Sequence, residues 1–466
     1  MTDSAIRVTK PKKTQGTDPF GSIKGYSAEV SRLRSVAEAV KGIASGKMAI
    51  GSMPVGIMLS GQPGMGKTTL AKAFGEATGL PVVDTTDVLT VDLIHDLYEK
   101  AKSVAPAIVL VDDVDKIVPD DSDDGYSSDE SRAALKEFIS QLDGLSKADN
   151  VITVMTTNGY DYLDTALKRP GRIDIHIPIG RPNDSDRLEI LRYYMSQYGD
   201  AFSQPGLAEA VAKKTYKMSC SALKTIVNDV WLQHCSDCLA GRQVDWIEAY
   251  QRRIIEFRGD GLLKKSIKND NEFRRICYHE AGHAIVEYAL TGNTSDICVM
   301  QVAGRDNGGW TSPRENDSTR YLWDFDDCMN ELAATLGGLV AEVKKCGKHT
   351  LGVSSDMEYA TSLIADMLGC NLDSAGYDEE AFRYSPIKMP GEHYAESALQ
   401  MPDFAKAVGE RQARLLQRAY RKAYDAISTH MEMLDALAEY LYDNGIASGE
   451  NMEAILEQAK RKEGAS

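Results

Sequence analysis

The sequence predicts an α/β module built on a parallel sheet with a helical lid, followed by a mostly α-helical domain. Three observations carry that prediction. A glycine-rich loop, Gly61-Gln62-Pro63-Gly64-Met65-Gly66-Lys67-Thr68, stands between a short apolar run and a helical stretch. Two later apolar runs of strand length end in carboxylates or an amide. Near the middle of the chain a helical, apolar-periodic stretch contains the pattern His-Glu-x-x-His. At 466 residues the chain exceeds one ordinary core, so two or three domains are expected.

Composition narrows the classes. Charged residues make up 26% and hydrophobic residues 43%, as in ordinary globular proteins. The formal net charge of −16 is spread along the chain and argues against a general nucleic-acid binder, which needs a basic face. No apolar run approaches the roughly 20 residues that cross a bilayer, and the first residues lack the apolar core of a signal peptide, so a cytoplasmic protein without a transmembrane segment is expected. Eight dispersed cysteines fit reduced thiols.

Taken in order, residues 1–18 are polar and lightly basic and read as a flexible tail. A helix is expected over Ser27 to Ala44, with Val30, Leu33, Val36, Ala37 and Val40 on one face. The strand Val55 to Ser60 then enters the glycine-rich loop, and a helix over Thr69 to Ala77 leaves it. In that context the loop is a Walker A motif for ATP. Its backbone N–H groups surround the phosphates, Lys67 adds a point charge, and the Thr68 hydroxyl, followed by Thr69, stands where Mg²⁺ binds. Ile108 to Asp113 is the matching Walker B strand, with Asp112 placed to hold Mg²⁺ and Asp113 where a water-activating carboxylate stands. Val151 to Asn158 is a further buried strand that delivers the Asn158 amide toward the γ-phosphate or attacking water, and Leu167 to Asp174 follows it. Residues 184–257 are helical and read as the lid, with 258–270 as a hinge. Cys235 and Cys238 lack a second pair at zinc-site spacing and read as ordinary helix cysteines.

In the stretch Arg275 to Glu287, His279 and His283 lie one turn apart on one face, where two imidazoles can grip one Zn²⁺. Glu280 sits beside the open metal position, where a carboxylate can take a proton from water as it attacks a peptide carbonyl. The bland alternative is two histidines packed on a helix. Ile297 to Val302 reads as a strand which, if exposed, could pair with an extended peptide. The last segment, about Pro402 to Lys460, is helical.

With its Walker A, Walker B, strand-Thr-Asn and Arg-Pro-Gly-Arg segments in sequence, followed by His-Glu-Ala-Gly-His, the chain from about Asp18 to Leu456 resembles the FtsH/AAA family of ATP-dependent zinc metalloproteases. The resemblance implies an AAA+ module over 19–183 with its lid over 184–257, a zinc peptidase domain over 271–462, and proteolysis of protein or peptide substrates. It implies that Asn158 is sensor 1 and that Arg169 and Arg172 are fingers completing a neighbour's site in a homohexamer. It also makes Asp356, in Leu351-Gly352-Val353-Ser354-Ser355-Asp356, the third zinc ligand, with Glu342 as the competing carboxylate.

Several features depart from the family pattern. Asp113 replaces a glutamate, which predicts slow ATP turnover. The aromatic pore loop is not recognisable between Asp84 and Lys102, and Tyr98 belongs to the following helix. The acidic run Asp120 to Glu130 replaces a glycine-rich loop, and the family's N-terminal membrane segments are not present in the sequence. The alternatives to an ATP-dependent endopeptidase are therefore a nucleotide-gated remodeller and a peptidase whose ATPase ring is only a scaffold.

Overall fold

The computed structural model describes residues 6–10, 18–46, 54–86, 89–116, 129–145, 150–258, 270–299, 309–313, 322–370, 372 and 402–463. The chain divides into two compact units, Met1–Tyr250 and Gln251–Ser466, the division falling inside a helix rather than at the expected hinge. The expected hinge lies almost wholly outside the described residues, as does most of the acidic run.

The first unit begins with β1 (Ile6–Thr9) and α1 (Ser27–Ala44). It continues through β2 (Gly56–Ser60), α2 (Lys67–Thr78), β3 (Val82–Thr85), α3 (Val91–Ser103) and β4 (Ala107–Val111). After α4 (Asp129–Gly144), β5 (Val151–Thr157) and β6 (Ile175–Pro178) complete its sheet. The strand order is β1-β3-β4-β5-β2-β6, parallel throughout except for the antiparallel β1. Every residue of β2, β4 and β5 is buried, as a parallel sheet covered on both faces demands. Alternate side chains feed two cores: Met58, Val109 and Val111 pack on one face, while Ile57, Leu59, Ile108 and Leu110 pack on the other. Register pairs Ser60 with Thr157 and Val111 with Met155. The loop after β2 and the polar residues after β4 and β5 therefore emerge together at the carboxyl edge, where ligands of open α/β sheets bind.

Two expectations about this unit change. Residues 6–9, expected within a flexible tail, form an edge strand pairing Ile6 with Thr85 and Thr9 with Val82. The half-buried Ile6 and Val8 alternate with the exposed Arg7 and Thr9, a period-2 pattern too short to stand out in a polar segment. Tyr98 is fully buried in α3 and hydrogen-bonds Thr153 Oγ1 at 2.8 Å, so it is a core residue.

Beyond the sheet come α5 (Asp184–Ser196), α6 (Leu207–Lys214), α7 (Cys220–Leu239) and α8 (Trp246–Arg258). α5 starts with a capping box between Asn183 and Asp186, and α7 is capped by Ser219. Phe202 stacks edge-on against Trp246 at 4.7 Å and lies against Tyr250 and Trp231, giving these helices an aromatic core.

The second unit is organised on α9 (Asp270–Thr291). It adds β7 (Ser295–Val299), β8 (Gly309–Pro313), α10 (Phe325–Thr335), α11 (Gly337–Cys346) and α12 (Ser354–Gly369). The chain then runs through α13 (Pro402–Thr429), α14 (Met431–Asn444), β9 (Ile446–Ala447) and α15 (Gly449–Glu463). α9 buries Cys277, Ala281, Ala284, Ile285 and Val286 against helices that include Leu332, Leu434 and Leu437. Truncating one such leucine to alanine costs about 2–5 kcal/mol. The small sheet has the order β8-β7-β9, antiparallel at both junctions. The strand expected over 297–302 thus starts two residues earlier and is described as far as Val299. It is also the central strand, with a neighbour on each side, so β7 has no free edge at Ile297 and Cys298; among the described residues β8 is an outer strand.

Candidate nucleotide site and metal centre

In the first unit the loop from Gly61 to Gly66 turns into the buried start of α2. The Lys67 ammonium reaches the Gly61 carbonyl (2.8 Å), the Gln62 carbonyl (2.9 Å) and Asn158 Oδ1 (2.8 Å). Burial lowers its proton affinity, against the pull of Asp113, Asp115 and Asp112. Thr68 Oγ1 donates to Asp112 Oδ1 at 2.8 Å, so the hydroxyl and carboxylate that Mg²⁺ would share already meet. Thr156 Oγ1 donates to Asp112 Oδ1 (2.6 Å) and accepts from the Asp113 backbone N–H (2.8 Å), fixing both residues from the next strand. Asp113 sits in the left-handed region with φ 53°. The Asn158 amide nitrogen lies 3.4 Å from Asp113 Oδ1 and 3.3 Å from Asp115 Oδ2.

Beside the loop is a pocket walled by Ile23, Tyr26, Met65, Ile190, Tyr194 and Cys220. Tyr26 donates to the Gly180 carbonyl at 3.1 Å, and burial pushes its phenol well above its usual range. Apart from Met65, which lies in the loop itself, these wall residues, together with Thr156 and Asp115, are not marked by any motif. They become neighbours only through the fold.

Arg169 and Arg172 differ. Arg169 is exposed. Arg172 makes a two-toothed contact with Asp143 of its own unit, at 2.6 and 2.7 Å, which holds the Asp143 carboxyl below its usual range.

In the second unit α9 points His279 and His283 at Asp356 from the first turn of α12. His279 Nε2 lies 3.0 Å from His283 Nε2 and 3.1 Å from Asp356 Oδ2, and His283 Nε2 lies 3.5 Å from that oxygen. Tetrahedral Zn²⁺, with bonds of about 2.0–2.1 Å, places its ligand atoms about 3.3 Å apart. The triangle fits that edge length, and these three residues form the metal-capable cluster among the described residues. Asp356 Oδ2 is buried and has no hydrogen-bond partner among the described residues although it faces both imidazoles, as a metal ligand does.

The outer nitrogens are committed elsewhere: His279 Nδ1 to Glu342 Oε1 at 2.9 Å, and His283 Nδ1 to the Ala334 carbonyl at 2.8 Å. Both contacts leave Nε2 to face the centre. Glu342, the competing carboxylate, therefore stands behind His279 rather than in the triangle, and Arg275 pairs with its other oxygen at 3.3 Å. Burial alone would lower the His279 imidazole, but the Asp356 and Glu342 carboxylates, helped by Glu280, hold it up at about 10. Burial would likewise raise Asp356, yet the two imidazoles keep it well below the ordinary carboxylate range. With Glu280, Glu342 and Asp356 gathered around two imidazoles and Arg275, the negative excess suits a dication.

The helix crossing makes this possible. Gly282 of α9 packs on Gly337 of α11, where a Cβ at either position would fall 2.4 Å from the other's carbonyl oxygen. Gly338 lies flat against both imidazoles, and its Cβ would stand 2.6 Å from His279 Cε1 and from His283 Nε2. Next to His279 along α9, Glu280 is buried against β8. Thr311 Oγ1 donates to Glu280 Oε2 at 2.6 Å, and a Cβ on Gly309 would meet Glu280 Oε1 at 2.3 Å.

A phosphate-loop module and a helical unit with a His-His-Asp cluster, carried on one chain, have the arrangement of an ATPase joined to a metallopeptidase. Comparison with known proteins agrees on both halves. Residues 57–181 match the family described as "ATPase family associated with various cellular activities (AAA)", and 266–455 match "Peptidase family M41". The chain is similar to "ATP-dependent zinc metalloprotease FtsH" of Slackia heliotrinireducens, 27% identical over 96% of this chain and 58% of the relative. It is similar to "ATP-dependent zinc metalloprotease FtsH 2" of Salinibacter ruber, 26% identical over 94% of this chain and 65% of the relative. "ATP-dependent zinc metalloprotease FTSH 5, chloroplastic" of Arabidopsis thaliana is 27% identical over 94% of this chain and 63% of its own length. The chain is thus similar along nearly its whole length to the FtsH/AAA family of ATP-dependent zinc metalloproteases. It spans about 58–65% of the length of these relatives. Among the described residues, no helix is long and apolar enough to cross a membrane.

Proposed function

We propose that this chain is an ATP-dependent zinc endopeptidase that degrades protein substrates in the cytoplasm as a homohexamer. The observation that carries the reading is the His279, His283 and Asp356 triangle at zinc edge lengths with Glu280 beside it. In this reading 19–183 and 184–257 are the ATPase large subdomain and lid, and 271–462 is the peptidase domain.

His279, His283 and Asp356 hold Zn²⁺, with Glu342 and the Ala334 carbonyl orienting the imidazoles. When bound, the metal lowers the pKa of a water and polarises the scissile carbonyl. Glu280 accepts the proton of the attacking water and passes it to the departing amine. β8, an outer strand lying against Glu280, supplies main-chain hydrogen-bonding groups along which an extended substrate can align. In the ATPase module, residues Gly61 to Thr69 cradle the phosphates and Thr68 and Asp112 hold Mg²⁺. Asp113 orients the attacking water, Asn158 contacts the γ-phosphate, and Arg169, exposed on its own unit, completes the neighbouring subunit's site. Arg172 joins Arg169 once its contact with Asp143 opens.

The test is degradation of an unfolded and a folded protein by the purified chain with ATP, with a non-hydrolysable analogue, and with a zinc chelator. Loss of both substrates only with hydrolysable ATP and zinc supports the reading. Cleavage of the unfolded protein alone, without hydrolysis, reduces the ATPase to a scaffold. That second reading draws on Asp113, whose side chain is one methylene shorter than glutamate and whose backbone is held at φ 53°.

A further inference from the structure

Glu280 is held from outside its own helix, by β8. The residue is 6% exposed, and its carboxylate lies against the strand. Thr311 Oγ1 lies 2.6 Å from Glu280 Oε2 and 3.2 Å from the Glu280 carbonyl; the hydroxyl has one proton, and the shorter contact takes it to the carboxylate. On the same strand Gly309 presses its bare backbone toward the other oxygen, where a Cβ would come within 2.3 Å of Oε1.

A glutamate carboxylate turns about a broad terminal torsion and would otherwise sample many planes. A short hydrogen bond to one ionised oxygen removes that freedom. We propose that Thr311 is a positioning residue for Glu280: its hydroxyl pins Oε2 and leaves Oε1 directed at the water whose proton it accepts. Because Thr311 belongs to an outer strand, the element that aligns an extended substrate also aims the base. The inference rests on Glu280 being the general base, as proposed above. The alternative is a purely structural tie between β8 and α9.

The test compares Thr311→Val, which keeps the shape without the donor, with Thr311→Ser, which keeps the donor. Steady-state cleavage of an unfolded casein substrate with ATP is read together with Zn²⁺ affinity, from competition with a chromophoric chelator, and with melting temperature. Thr311→Val is expected to lower kcat about 10- to 100-fold, the range for one hydrogen bond to a charged group. KM, Zn²⁺ affinity and melting temperature stay near wild type, and Thr311→Ser restores kcat to within about threefold. If Thr311→Val does not fold, Thr311→Cys, a weak donor, is measured instead with the same expectation. An unchanged kcat, a loss shared equally with Zn²⁺ affinity or melting temperature, or no restoration by serine overturns the inference. A wild-type chain whose cleavage does not depend on Glu280 overturns the peptidase reading itself, whatever the threonine variants do.

Discussion

Replacing Gly338 by alanine adds one methyl group where α11 faces the two imidazoles. The new carbon would stand 2.6 Å from His279 Cε1, 2.6 Å from His283 Nε2 and 2.7 Å from His279 Nε2. Carbon contacts settle at about 3.5–4.0 Å, so rings or helix must separate by about 1 Å. Metal–ligand distances tolerate only about 0.2 Å, so that shift dismantles the triangle. Helix propensity acts in the opposite direction, since glycine to alanine in a helix interior gains about 1 kcal/mol. The two effects appear in different observables. Zn²⁺ affinity, measured by competition with a chromophoric chelator, is expected to fall more than about 100-fold, beyond the loss typical of an outer-sphere partner. The melting temperature of the metal-stripped protein sets that gain against an overpacking cost of about 1–3 kcal/mol, so it should fall only modestly. Zn²⁺ affinity within about threefold of wild type would show that the close approach does not shape the site. Gly309→Ala is the paired control: its methyl meets Glu280 Oε1 instead, so cleavage should be lost while Zn²⁺ is retained.

Glu342→Ala removes the acceptor behind His279 and should weaken Zn²⁺ binding about 10- to 100-fold in the same competition assay, whereas a Glu342 that did nothing for the metal would leave it unchanged. Asp113→Asn should abolish ATP turnover in a phosphate-release assay while nucleotide binding by calorimetry persists; continued turnover would remove Asp113 from the water-orienting role. Arg169→Ala should lower ATP turnover far more than tenfold with binding intact, since a finger that stabilises transition-state charge is worth on the order of 10³–10⁵; normal turnover would leave the site complete without it. Asp143→Asn should cost under about 1 kcal/mol at pH 7, as for other exposed pairs. Since Arg172 depresses the folded Asp143 carboxyl, this stability is present above the ordinary aspartate range and is lost as pH falls through the depressed value. Melting curves of variant and wild type should therefore converge in acid, and a gap that persists there would contradict the pairing.

How much of this was legible in the sequence depends on whether a feature is local. The loop from Gly61 to Thr68, the strands ending at Asp112 and Asn158, and the histidines one helical turn apart need only neighbours in sequence, and each emerges where its pattern places it. The helix over Ser27–Ala44 was readable for the same reason. Features set by tertiary contact were not readable. Nothing near Glu342 says that it backs His279 rather than joining the triangle; that follows from α11 crossing α9 at Gly282 and Gly337. Thr311 looks like any strand threonine until β8 is laid against Glu280. The strand Ile6–Thr9 carries little sequence signal because its pattern rests on two half-buried side chains, and it gains its meaning from pairing with β3. Arg169 and Arg172 belong to one motif yet stand in different surroundings, because Asp143 at the end of α4 accepts hydrogen bonds from the second.

The central claim is that Glu280, beside the His279, His283 and Asp356 triangle, performs peptide hydrolysis. The most direct measurement is casein degradation with ATP by the wild-type chain and by Glu280→Gln, each with and without a zinc chelator, alongside the Zn²⁺ content of both. The account predicts chelator-sensitive cleavage by the wild type and none by the variant, with equal Zn²⁺ bound. Cleavage that survives in the variant, or that ignores the chelator, would contradict it.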